Sequence, residues 1–279
     1  MPGLILEGGT FRPIFSCGVM DALLDHDVMF DYVIGVSAGI TDAFSYLSRQ
    51  RERNLRVALD YRNDKRYLSL RNYPKYRSIF GLDFAYDEIP NKLLPYDWDT
   101  FRAYQGRVLV GVTNARTGQA EYLDGKQLDL PCTMLRATCA IPFYFPAIEI
   151  DGVPYYDGGL ADSIPIVKAL HDGSQKNLIV LTQPSGYHKT TSASTRMAAR
   201  ALHHKYPQLS ETMLSRAKRY NDTLCFCRQL VKKQPENTVL LQPEYPLNSF
   251  EKDVSMLKKN YEHGYQLALA HMEQIKALF

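Results

Sequence analysis

A serine between two spaced glycines, Gly35-Val36-Ser37-Ala38-Gly39, is the first group in the chain whose setting could make it react. The pentapeptide is a weak signal by itself, and its position strengthens it. It follows an apolar run, Asp31 to Val36, and opens a segment, Ala38 to Leu47, that reads as a helix. A strand that turns sharply into a helix leaves the serine hydroxyl exposed at the strand end, and the helix N-terminus behind it favours developing negative charge. The plainer alternative is a serine that caps a helix in a glycine turn. A nucleophile needs a base and a place for an oxyanion. Two further glycine-rich segments offer candidates. Gly8-Gly9-Thr10-Phe11-Arg12 closes the apolar run Leu4-Ile5-Leu6, and Tyr156-Asp157-Gly158-Gly159 lies far downstream, where by itself it reads as a surface turn.

Taken in order, Leu6 to Arg12, Gly35 to Gly39 and Tyr156 to Gly159 resemble the patatin-like phospholipase family. That family's pattern is a glycine-rich loop with a nearby Arg or Lys, a G-x-S-x-G elbow and a later D-G-[GA]. The resemblance spans about residues 3–183 and includes Asp157 to Pro165; the last third is similar, less specifically, to the helical extension of a bacterial subgroup. It implies a three-layer α/β/α sandwich with a mostly parallel sheet and a helical C-terminal extension. It also implies hydrolysis of lipid acyl esters, phospholipid or lysophospholipid, without metal or cofactor. Ser37 would be the nucleophile and Asp157 the base. Gly8, Gly9, Thr10 and Arg12 would form the oxyanion loop, Gly35 and Gly39 the elbow, and Gly158 and Gly159 the bare backbone that lets the acid approach it. A carboxylate near its ordinary pKa of about 3.9 is a poor base, so such a dyad requires Asp157 to be desolvated and bonded directly to Ser37.

Two positions depart from the family's G-G-G-x-[RK]-G loop. Thr10 replaces the third glycine and, being β-branched, must take negative φ or bear strain. Pro13 replaces the last glycine; it cannot donate an amide but suits the first turn of a helix. If the altered loop has lost turnover, the chain is a catalytically weak lipid-binding or regulatory homologue. A third reading is a general carboxylesterase that uses His188, which follows the apolar run Asn177 to Thr182; the other six histidines fall in apparent helices.

The elements that must position these residues show in the patterning. Strand, glycine turn and helix occur twice within fifty residues, which predicts a parallel α/β sheet. Further strands are expected at Arg107 to Asn114, Gln119 to Leu123, Ala147 to Ile150 and Asn177 to Thr182. Residues 1–185 read as the catalytic domain, with 49–105 as a cap or insert: this segment is charged, aromatic and punctuated by Pro74, Pro90 and Pro95. Residues 186–279 read as mainly helical, with an extra strand at Thr238 to Gln242. Of 279 residues, 45% are apolar and 23% charged, an ordinary globular balance, and a net charge of +3 is too small to imply nucleic acid. Five cysteines without a CxxC pair read as reduced thiols rather than zinc ligands. The start, Met1-Pro2-Gly3-Leu4, lacks the pattern of a secretory signal, so a cytoplasmic protein is expected. Arg49 to Arg77 holds ten Lys/Arg against three acids with tyrosines interleaved. That suits either a solvated face or a peripheral contact with an anionic membrane.

Overall fold

Each apolar run that stops at a glycine turn becomes a strand of one sheet in the computed structural model, which describes residues 1–279. The strands are β1 (Pro2–Leu6), β2 (Tyr32–Val36), β3 (Arg107–Asn114), β4 (Ala120–Asp124), β5 (Ile148–Ile150), β6 (Val153–Asp157), β7 (Lys176–Val180) and β8 (Thr238–Leu241). Their order is β5-β6-β3-β2-β1-β7-β8, with β4 also beside β3. The five strands from β3 to β8 in that order run parallel, while β4 and β6 pair β3 antiparallel and β5 pairs β6 antiparallel.

The parallel strands are apolar at successive positions because both faces of the sheet are covered. Leu4, Leu6, Val33, Val108, Val110, Leu178 and Val180 enter one core. Ile5, Ile34, Leu109, Ile179 and Leu181 enter the other. Eleven α-helices complete the chain: α1 (Ile14–Asp25), α2 (Ser37–Leu47), α3 (Arg53–Tyr61), α4 (Tyr73–Tyr76), α5 (Trp98–Ala103), α6 (Thr133–Thr138), α7 (Ile166–His171), α8 (Ala193–Leu202), α9 (Pro207–Lys233), α10 (Val254–Ala270) and α11 (Met272–Lys276). Helices α1, α2, α10 and α11 fill the first core, and α7 and α9 the second. The result is the expected α/β/α sandwich. Residues after 186 contribute to all three layers: β8 extends the sheet beside β7, while α9 and α10 cover opposite faces. No helix is long and apolar enough to cross a membrane.

One feature of the topology brings distant residues together. Residues 109–111 of β3 pair with both β2 and β4, so those two strands lie on opposite edges of β3. Residues 112 and 113 pair with both β4 and β6, so β6 shares the β2 edge. On that edge β2 ends with Val36 opposite Gly111, and β6 arrives with Asp157 opposite Val112. Ser37 and Asp157 therefore meet where one strand stops and another takes over. Strand β6 is not among the strands expected from the sequence: Asp157-Gly158-Gly159 reads by itself as a surface turn, and Pro154 is a residue that strand interiors disfavour. The proline is tolerated at the start of the strand, where its carbonyl accepts from the Ala115 amide at 2.9 Å.

Candidate active site

Ser37 adopts φ of +54°, a left-handed conformation that a non-glycine residue holds only under strain, as the sharp strand-to-helix turn demands. Its amide donates to the Thr138 hydroxyl at 2.8 Å, and that hydroxyl donates to the Gly111 carbonyl at 2.5 Å. The strained turn is thus tied to β3 through α6. Bare backbone lets the layers close: a Cβ on Gly8 would lie 2.6 Å from the Ser37 Cβ, and one on Gly158 would lie 2.1 Å from the Gly111 carbonyl oxygen.

The Ser37 hydroxyl donates to Asp157 Oδ2 at 2.6 Å. The other carboxylate oxygen accepts the Gly159 amide at 2.8 Å, and the Thr113 hydroxyl holds the Asp157 carbonyl at 2.8 Å. Burial pushes the Asp157 carboxyl above the ordinary carboxylate range. The Ser37 hydroxyl, the charge of Arg216 and the Gly159 amide pull it back in part. A desolvated carboxylate joined directly to a hydroxyl is the arrangement in which an aspartate can act as a base.

In the glycine loop Gly9 takes φ of +150° and Thr10 +59°. Thr10 therefore bears the strain instead of avoiding it, and the loop keeps a turn that glycine would take freely. The amides of Gly9 and Thr10 donate to no acceptor within the protein. Arg12 bonds neither carbonyls nor acids. Its Nε donates to the Thr182 hydroxyl at 3.2 Å and its Nη1 to the Ser249 hydroxyl, and Thr182 in turn donates to the Gly8 carbonyl at 2.8 Å. The side chain clamps the loop between the end of β7 and the C-terminal region. Pro13 directly precedes α1, as its fixed φ allows.

Beside Ser37 and Thr10 opens a mostly apolar cavity of about 180 Å³. The 49–105 segment supplies much of its wall, including Val57, Tyr67, Phe80, Tyr86 and Trp98. His188 does not line this cavity, and its Nε2 lies 3.2 Å from the Asn221 side chain. Thr138 and Arg216 carry no local signature and are not singled out by sequence reasoning. Arg216 projects from α9, donates to the Gly159 carbonyl at 2.6 Å and supplies positive charge beside Asp157.

A family model described as patatin-like phospholipase matches residues 4–170, which include the loop, the elbow and Asp157 with its glycines. The chain belongs to the patatin-like phospholipase family. A second model, described as a domain of unknown function (DUF6363), matches residues 206–279, the part that brings Arg216 to the Gly159 carbonyl. The chain is 24% identical over 271 residues to an uncharacterized protein, YjjU, of Escherichia coli (strain K12), across 94% of this chain and 74% of that protein. The crystal structure of VipD from Legionella pneumophila aligns with a TM-score of 0.47 at 13% identity, over 97% of this chain and 67% of that one. Membership of the family places the protein among lipid acyl hydrolases.

Proposed function

We propose that the protein hydrolyses acyl esters of phospholipids or lysophospholipids through an acyl-enzyme on Ser37. The observation that carries this reading is the 2.6 Å hydrogen bond from a strained, elbow-held serine to a buried carboxylate. As Ser37 Oγ bonds to the ester carbonyl carbon, its proton passes to Asp157. The oxyanion is received by the free amides of Gly9 and Thr10. Collapse breaks the ester C–O bond, and Asp157 returns the proton to the departing alcohol oxygen. Water then attacks the acyl carbon and gives a proton to Asp157, and Ser37 leaves as the hydroxyl. The acyl chain lies in the apolar cavity, which the 49–105 segment roofs. The direct Ser37–Asp157 bond and the position of His188 away from the cavity favour this dyad over a histidine-dependent esterase. Hydrolysis of a short-chain ester and a long-chain phospholipid by wild type tests the substrate class. Turnover of the phospholipid is expected, and activity on the short ester alone would contradict it.

Access to lipid is assigned to the roof. Leu70 and Tyr73 are exposed, with Leu70 at 81%, and Arg71, Lys75 and Arg77 stand exposed around them. Basic residues near an anionic surface contribute about 1 kcal/mol each. Reversing three charges in R71E/K75E/R77E should therefore lower partitioning onto anionic vesicles by at least about 100-fold, as read by vesicle co-sedimentation. Unchanged sedimentation would remove this surface from the account.

A further inference from the structure

The cavity beside Ser37 is not uniformly apolar. Asp42 and Arg53 both line it, and neither has a use in the mechanism above. The neighbouring polar groups satisfy one another: the Ser45 hydroxyl donates to Asn54 Oδ1 at 2.7 Å, and Asn54 Nδ2 donates to the backbone carbonyl of Asp42 at 2.7 Å. The Asp42 carboxyl group receives only a weak thiol contact, from Cys17 at 3.4 Å. Arg53 donates through Nη2 to the Leu94 carbonyl at 2.9 Å, but its Nε is buried with no acceptor. Arg53 and Asp42 form no ion pair, although the guanidinium charge is near enough to pull the carboxyl down in part. Burial in these apolar surroundings holds the Asp42 carboxyl up at about 7. An under-bonded carboxyl group, beside a guanidinium with a buried and unpaired N–H, is costly at the wall of a cavity meant only for hydrocarbon.

We infer that the acyl pocket selects chains bearing a hydroxyl group, which donates to Asp42 and accepts from Arg53. This rests on the acyl-hydrolase reading of the site. The pairing favours a small neutral group that both donates and accepts. A cation would be repelled by Arg53 and an anion by Asp42, whereas a hydroxyl is neutral and both donates and accepts. Ser37 and Asp42 both lie on α2 and line the same cavity, Asp42 five residues beyond the elbow, so the hydroxyl belongs along the acyl chain and not at the ester. A pocket built to bond a hydroxyl discriminates strongly against the analogue lacking it, because its own polar groups are then left unpaired.

The test compares kcat/KM for two lysophospholipids identical except for a mid-chain hydroxyl on the acyl group, in wild type, D42L and D42N. Each ratio is taken within one preparation, so partial misfolding of a variant cancels. Wild type should prefer the hydroxyacyl substrate by at least tenfold, D42L should prefer the plain chain, and D42N should fall between. A wild-type preference for the plain chain, or a ratio unmoved in D42L, would overturn the inference. If wild type turns over neither substrate, the acyl-hydrolase reading itself fails. Calorimetric binding of free hydroxylated and plain fatty acids to S37A then decides the pocket separately: tighter binding of the hydroxylated acid sustains the inference, and equal or weaker binding overturns it.

Discussion

Ser37→Ala should lower phospholipid hydrolysis by about 10⁴-fold or more, and Asp157→Asn by about 10²–10⁴-fold. The serine supplies the atom that bonds the acyl group, so its loss leaves only binding and oxyanion stabilisation. Asparagine at 157 keeps the shape and can still hydrogen-bond Ser37, but it cannot take the proton. Loss of activity in this variant must be separated from loss of fold, and linkage provides the means. Burial raises the Asp157 carboxyl above its unfolded value, so the folded state holds the proton more tightly and stability falls as pH rises through that raised value. An uncharged amide removes this penalty, and D157N should melt no lower than wild type at neutral pH. The base form is the ionised one, so wild-type kcat/KM should climb with pH through the same raised value. Its acid limb should lie above the pH at which an ordinary aspartate titrates. Full activity in D157N, or an acid limb at or below about pH 4, would contradict a base at this position.

Gly8→Ala has the next largest expected effect on turnover, and it acts on rate more than on stability. The added Cβ would stand 2.6 Å from the Ser37 Cβ and 2.9 Å from the Val36 carbonyl oxygen, where ordinary contact begins near 3.4 Å. Something must yield by roughly an ångström, and the elbow cannot give freely, because Ser37 is already held at φ of +54° by the Thr138 hydroxyl. A displacement of that size costs about 10²-fold in rate. Overpacking of this kind costs about 1–3 kcal/mol in stability, which thermal melting would register without loss of the fold. Wild-type kcat/KM in G8A would mean that the glycine loop does not press on the nucleophile as described.

How much of this was legible depends on how local each feature is. Ser37 stands out because an apolar strand, a glycine turn and a helix are contiguous in the chain, and the sandwich follows from two such units. Asp157 has no comparable local signature. Its strand contains Pro154 and ends in Asp-Gly-Gly, and only resemblance to the family singled it out. What places it beside Ser37 is the succession of β2 and β6 along one edge of β3, a property of strand pairing that no window of sequence contains. Thr10 was legible as a dilemma, negative φ or strain, and the fold takes the strained branch. Thr138 and Arg216 were not legible because their roles are wholly tertiary. A threonine at a helix end and an arginine on an amphipathic helix are commonplace until packing sets one against the Ser37 amide and the other against Gly159. Asp42 was hidden similarly, among the ordinary polar residues of α2.

The central claim is that one hydroxyl of this chain becomes acylated. Incubation with a fluorophosphonate ester followed by peptide mass spectrometry tests it directly, because the reagent labels a serine only where a base and oxyanion donors make it nucleophilic. The account predicts a single adduct on the peptide that contains Ser37, with labelling absent in S37A and strongly slowed in D157N. An unlabelled wild-type protein, or an adduct on a residue remote from the elbow, would contradict it.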